Sequence, residues 1–122
     1  LPETLRTSNR DQAAHFVDKL NVVDCAAVRY SGNEPPPFVF TPAEVEVLAR
    51  LEHDRWCAER TRQGWKLGSD RDPIAKTTPY LVDWEELAEN IRDLDRDAVR
   101  EMPARLAQSG LAIVRLDTPA KV

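Results

Sequence analysis

Residues 52–87 read EHDRWCAERTRQGWKLGSDRDPIAKTTPYLVDWEEL. All three tryptophans of the chain, Trp56, Trp65 and Trp84, fall in this stretch. Trp56 and Trp65 sit among fixed cations, with Arg55, Arg60, Arg62, Lys66 and Arg71 around them. Flat rings beside such groups suit a planar, anionic ligand. A structural helix with a salt-bridged face produces the same pattern. The first half of the stretch continues a helix that starts upstream. Thr41 is its N-cap, Pro42 takes the first helical position and Glu44 closes a capping box. That predicts a helix from 42 to about 63, ended by Gly64 as a left-handed C-cap. Val45, Leu48, Ala49 and Leu51, with Trp56, form its apolar side. His53, Trp56 and Arg60 lie three and four apart and share one flank, while Glu52, Arg55 and Glu59 can pair on an adjacent stripe.

Residues 64–82 sustain no period and are punctuated by Gly64, Gly68, Pro73 and Pro79. A polar loop this long inside a small domain is either functional or wrapped by its own side chains. It carries Trp65, Arg71, Asp72 and Lys76. Asp83 is placed to cap a short turn through Trp84 and Leu87. A second long helical pattern follows, with Leu87, Ile91, Leu94, Ala98, Val99, Met102 and Leu106 on its inner side. Pro103 predicts a kink or two abutting helices, and Gly110 ends the pattern. Residues 111–116 (LAIVRL) suggest a short strand and 117–122 a frayed tail.

Working outward to the N-terminus, Ser8 and Asp11 cap a helix over about 9–20, with Ala13, Phe16, Val17 and Leu20 inward and His15 solvated. Residues 22–30 (VVDCAAVRY) read as a strand or a buried connection, and 31–37 (SGNEPPP) as an extended arm. Phe38 and Phe40 pack that arm onto the first helix. The expected fold is mainly α: a compact small helical domain with a long ordered loop and at most a short strand or hairpin. Residues 1–40 form an N-terminal helix and arm, 41–116 the principal domain and 117–122 the tail.

A chain of 122 residues is one domain, large enough to bury roughly two-thirds of its unfolded surface. The charged fraction is high at 31%, yet the net charge is only −4 with both signs interspersed. No global attraction to DNA or to an anionic membrane follows, so an anion site must be local. Cys25 and Cys57 are not in a metal-like spacing. They read as free thiols in a reducing cytoplasm, with a single disulfide as the alternative. There is no signal peptide and no apolar run of membrane length. The opening Leu1 reads as a fragment of a longer protein or as a processed chain. No metal or cofactor motif is present: His53 is followed by Asp54, not by the start of an HExxH helix. Cys57 lies one helical turn from His53, but no oxyanion group or third partner accompanies the pair. The expectation is a non-enzymatic domain in which His53 donates a buried hydrogen bond from the helix to the loop.

The stretch resembles the ryanodine receptor repeat (RyR) domain, found in large calcium-release channels and in bacterial proteins. The residues that carry the resemblance are His53 and Trp56, Arg60, Gly64-Trp65-x-x-Gly68, Arg71-Asp72, Lys76, Pro79, Leu81-Val82, Trp84 and Leu87. Bacterial members are closer still, with Glu52-His53-Asp54-Arg55-Trp56 matching their EHxRW and 95–103 approximating DRxxVRxIP. Ser8-Asn9-Arg10-x-Gln12-Ala13 and Lys19-Leu20 resemble the segment that joins this domain to an upstream TrkA-N-type nucleotide-binding domain in bacterial fusions. Thr78 stands where the family usually has His, and Ala88 where it usually has Pro.

The resemblance implies a mainly helical module without enzymatic activity that acts as a sensor or interaction domain. Carried over by position, Trp65 would stack on a base with Trp56 as a second wall or support, and Arg60, Arg71 and Lys76 would meet phosphates. His53 and Asp72 complete the candidate ligand-binding set. Against it stand structural readings: Trp56 as a helix anchor, Trp65 as a ring packing the loop, and Arg71-Asp72 as a local ion pair. The leading expectation is a module that senses a nucleotide or nucleotide-derived signal and relays it to an attached upstream domain. The alternative is a protein-interaction or oligomerisation module using the same Trp/Arg surface, a homodimer included.

Overall fold

The computed structural model describes residues 14–32 and 37–116. Residues 14–19 are helical (α1) and tighten into a 3-10 turn at Leu20–Val23. Strand β1 follows at Cys25–Arg29, then helix α2 at Pro42–Arg62. Two short strands, β2 (Lys66–Leu67) and β3 (Thr77–Thr78), lie in the loop. A 3-10 turn at Trp84–Glu86 leads into helix α3 (Glu89–Gln108), and β4 (Leu111–Arg115) ends the described chain. The fold is mainly α, with two small two-stranded sheets.

The capping box forms as its sequence dictates. The Glu44 amide donates to Thr41 Oγ1 at 3.2 Å, and the Thr41 amide donates to Glu44 Oε1 at 2.8 Å. Glu44 also holds Arg115 of β4, and this bond lowers its carboxyl below the ordinary range. Arg115 in turn lies over the Phe38 ring, 4.9 Å from its centroid. The start of α2 is thus tied to the end of β4. Strands β1 and β4 pair antiparallel with Cys25 opposite Arg115 and Arg29 opposite Leu111. The sheet joins distant parts of the sequence, so it is not the local hairpin that adjacent strands would make.

The core lies between these two helices and the β1–β4 sheet. Phe16, Leu20, Cys25, Phe40, Val45, Leu48, Ala49, Trp84, Leu87, Val99, Met102, Leu106 and Ile113 form one buried cluster. Phe40 meets Phe16 and Phe38 edge-on, which fastens the arm to α1 as expected. His15 is exposed, also as expected. The expected Ser8–Asp11 cap, the start of the first helix and the C-terminal tail lie outside the described residues.

Several expectations change. Pro103 does not divide α3, which runs as one helix from Glu89 to Gln108. Proline removes one backbone bond, but buried Met102 and Leu106 hold the turns on either side of it. Leu94 is 65% exposed and not part of the inner face. The inward stripe of α3 is Ile91, Asp95, Val99, Met102 and Leu106, so Leu94 sits at its edge. Asp83 flanks the 3-10 turn without a side-chain cap. The long loop is ordered, as expected, and holds two short strands. β2 and β3 pair in parallel, Lys66 opposite Thr77 and Leu67 opposite Thr78, and Asp72 bridges back to Thr77.

Trp84 locks the two long helices together. It is 4% exposed, and its Nε1 donates to Glu46 Oε1 on α2 at 3.3 Å. Arg92 and Arg96 of α3 each stand 5.6 Å from its ring centroid. Arg96 also binds both oxygens of Glu46, at 2.8 and 3.0 Å. These bonds hold the Glu46 carboxyl below its ordinary value.

Candidate ligand-binding site

Helical spacing puts His53, Trp56 and Arg60 on one flank of α2. There they form a column. The His53 and Trp56 rings lie nearly parallel, with centroids 6.0 Å apart. The Arg60 guanidinium stands 5.6 Å from the Trp56 centroid and 5.7 Å from that of Trp65. It thus reaches both indoles, and its Nη1 donates to Gln63 Oε1 at 2.8 Å. Trp65 is brought alongside by the corner at Gly64, whose φ of +90° suits glycine.

His53 is only 3% exposed and makes the helix-to-loop bond that its position suggested. Its Nε2 lies 2.7 Å from the Val82 carbonyl oxygen. A carbonyl only accepts, so Nε2 carries the proton. Nδ1 then faces Asp95 of α3, 3.9 Å from Oδ2. The sulfur of Cys57 is 3.4 Å from the same Nε2. Burial first, and then Asp54, Asp95 and Asp83, push this thiol up to about 11. The pair is far from the thiolate–imidazolium state that a cysteine nucleophile needs.

Beside the column a groove of about 200 Å3 opens, lined by His53, Trp56, Tyr80, Ile91, Leu94 and Asp95. Three segments build it: α2, the loop and α3. Its walls are aromatic or aliphatic apart from Asp95. Burial, partly offset by His53, pushes the Asp95 carboxyl up to about 6; Glu52 adds to the rise and Arg55 opposes it. A perturbed carboxyl in an apolar cleft is a recurrent mark of a functional site.

The other expected site residues divide. Lys76 adopts φ +57° and donates from Nζ to the Gln63 carbonyl at 2.9 Å, so it closes the end of α2. Asp72 accepts from the amides of Ile74 and Ala75, at 2.9 and 3.3 Å. It shapes the turn and does not pair with Arg71. Arg71 is exposed and forms no hydrogen bond or ion pair among the described residues. The structure therefore gathers His53, Trp56, Arg60 and Trp65, sets Lys76 at the end of α2, and leaves Arg71 and Asp72 in the turn beyond. Arg55 bridges Glu52 at 2.7 Å and Glu59 at 2.6 Å, the structural pairing expected of that stripe.

Tyr80, Ile91, Leu94 and Asp95 line the groove without having been singled out as site residues. A signal for Asp95 was present. It falls four residues after Ile91 and four before Val99, on the buried stripe of α3. A carboxylate at such a position needs a reason. Among the described residues, no three His, Cys, Asp or Glu side chains could hold a metal ion, and no helix is long and apolar enough to cross a membrane.

The column follows the residue pattern singled out in the sequence, and the family model for the RyR domain matches residues 41–115. The chain belongs to the RyR domain family. In this RyR domain each element of the pattern has a local cause. His53 ties helix to loop, and Trp56 and Arg60 extend the column. Gly64 turns the corner, and Gly68 allows β2 to approach β3. A Cβ at Gly68 would lie 2.8 Å from Thr77 Cβ. Thr78, in the place of the usual His, is 2% exposed and accepts from the Tyr80 amide at 3.3 Å. It helps to set the segment that carries Tyr80 into the groove. Ala88, in the place of the usual Pro, is the N-cap of α3 without a side-chain bond.

Proposed function

We propose that this RyR domain is a non-enzymatic sensing module for a nucleotide or nucleotide-derived signal. The groove bounded by Trp56, Tyr80, Leu94 and Asp95 carries this reading. Sites that engulf drug-sized ligands run to about 300–1,000 Å3. A groove of about 200 Å3 holds one ring system and leaves the rest of the ligand on the surface. A base entering it would lie against Trp56 and Tyr80, and stacking of this kind contributes roughly 1–3 kcal/mol. Arg60 stands against Trp56 on the column and is a candidate for an attached phosphate. The ligand would touch α2, the loop and α3 together. Its binding would therefore favour one arrangement of the loop against the helices, and an attached domain, such as an upstream nucleotide-binding domain, would feel the difference.

A second reading rests on a separate observation. Ile74 is 96% exposed and Leu67 59% exposed on the same loop, two apolar side chains that a protein partner or a second copy would cover. A thermal-shift screen with mononucleotides, cyclic nucleotides and short oligonucleotides tests the first reading. Sensing predicts that at least one raises the melting temperature, and that Trp56→Ala folds but loses the response. A flat screen combined with concentration-dependent self-association in sedimentation would replace sensing by interaction.

A further inference from the structure

The polar groups of the groove narrow the base that fits it. The ring nitrogens of His53 are turned elsewhere: Nε2 to the Val82 carbonyl and Nδ1 toward Asp95. Asp95 differs. Its side chain is 24% exposed and lines the groove, and His53 Nδ1 lies 3.9 Å from it, beyond hydrogen-bond range. It makes no hydrogen bond among the described residues. It is thus a carboxylate in an apolar setting, with acceptor capacity open to whatever enters. Arg55, the nearby guanidinium, is held by Glu52 and Glu59 and does not line the groove, so no lining residue is a lysine or arginine that would draw a phosphate inward. A phosphate belongs outside, and the part of the ligand inside must present donors.

Ring size and donor pattern then act together. A carboxylate takes two parallel N–H donors best, as it does from a guanidinium fork. Guanine offers such a pair in N1–H and the exocyclic N2 amine. Adenine offers only its amine and turns the N1 lone pair toward the acid. Hypoxanthine offers N1–H alone. We infer that Asp95 is a specificity-determining residue and that the groove between Trp56, Tyr80 and Leu94 takes a guanine base through its N1–H/N2–H edge. This deepens the nucleotide reading above and rests on it.

The test is calorimetric titration of the protein with GMP, IMP and AMP, repeated on Asp95→Asn and with methylguanidinium as a further ligand. The expected result is GMP bound at least tenfold more tightly than IMP or AMP, the range of a bidentate pair. That preference should fall to within about threefold in Asp95→Asn, an amide being unable to accept both donors at full charge. Circular dichroism of the variant shows that the fold is retained. Purines bound with equal affinity, or unchanged by the substitution, would overturn the guanine inference and leave nucleotide sensing standing. No purine bound would overturn both. Methylguanidinium bound with no purine bound would make the groove a site for a cationic side chain, against both readings.

Discussion

Replacing Asp95 by asparagine should stabilise the protein at pH 8 and leave it nearly unchanged at pH 4. The ordinary carboxyl value of 3.8 rises to about 6 at this position, because burial outweighs the attraction of His53 and Arg55. Between those two values the folded protein binds a proton that the unfolded chain has released. The native state is therefore favoured as pH falls through about 6, and that contribution is lost as pH rises through it. Above this window the fold keeps a carboxylate that its surroundings disfavour. The difference between about 6 and 3.8 corresponds to about 3 kcal/mol as an upper value. The side chain opens onto the groove and is 24% exposed, which reduces the expected gain to about 1–2 kcal/mol. For a domain of this size that is about 4–8 °C in melting temperature. Calorimetric or circular-dichroism melts of both proteins at pH 8 and pH 4 measure it, and titrating groups remote from Asp95 cancel in the difference. Equal melting temperatures at pH 8, or a gap no larger at pH 8 than at pH 4, would refute the reasoning.

Three further outcomes follow from the geometry. His53→Phe keeps an aromatic ring beside Trp56 but leaves the Val82 carbonyl without its 2.7 Å donor. It should cost about 1–3 kcal/mol in urea unfolding, and a stability unchanged within error would show that the bond is unimportant. Gly68→Ala places a methyl 2.8 Å from Thr77 Cβ and should push β2 from β3. The effect appears as faster exchange of the Lys66 and Gly68 amides, which donate to the Lys76 and Thr78 carbonyls, and protection equal to wild type would contradict the close approach. Cys57, its thiol pushed up to about 11, should react with iodoacetamide at pH 8 on the order of a hundredfold more slowly in the native protein than in urea.

Much of the fold follows from local signals with a single solution. Thr41, Pro42 and Glu44 define the start of α2 through bonds that need no tertiary partner. Gly64 ends it through a backbone angle. The β1–β4 pairing was less accessible, since each strand was legible alone but their partnership depends on how α2 and α3 bring the ends together. Pro103 shows tertiary packing overriding propensity: buried neighbours on both sides hold a helix that the residue alone would interrupt. At the site, helical spacing placed His53, Trp56 and Arg60 together, because distance along one helix is distance in space. The loop residues were harder. Arg71 and Asp72 are adjacent in sequence, yet Asp72 turns to backbone amides and Arg71 to solvent. Tyr80 and Asp95 reach the groove only through folding, from segments with no local link to α2.

A nucleotide base entering the groove beside Trp56 would change the surroundings of that indole. The protein has three tryptophans, so a 15N-labelled sample displays three indole N–H signals, from Trp56, Trp65 and Trp84. Titration with GMP, followed in two-dimensional NMR spectra, should shift the Trp56 indole together with the amides of Tyr80, Leu94 and Asp95. The Trp84 indole, buried against Glu46, should stay in place. Unmoved Trp56 and groove signals at saturating nucleotide, or shifts confined to the turn around Arg71, would contradict the account.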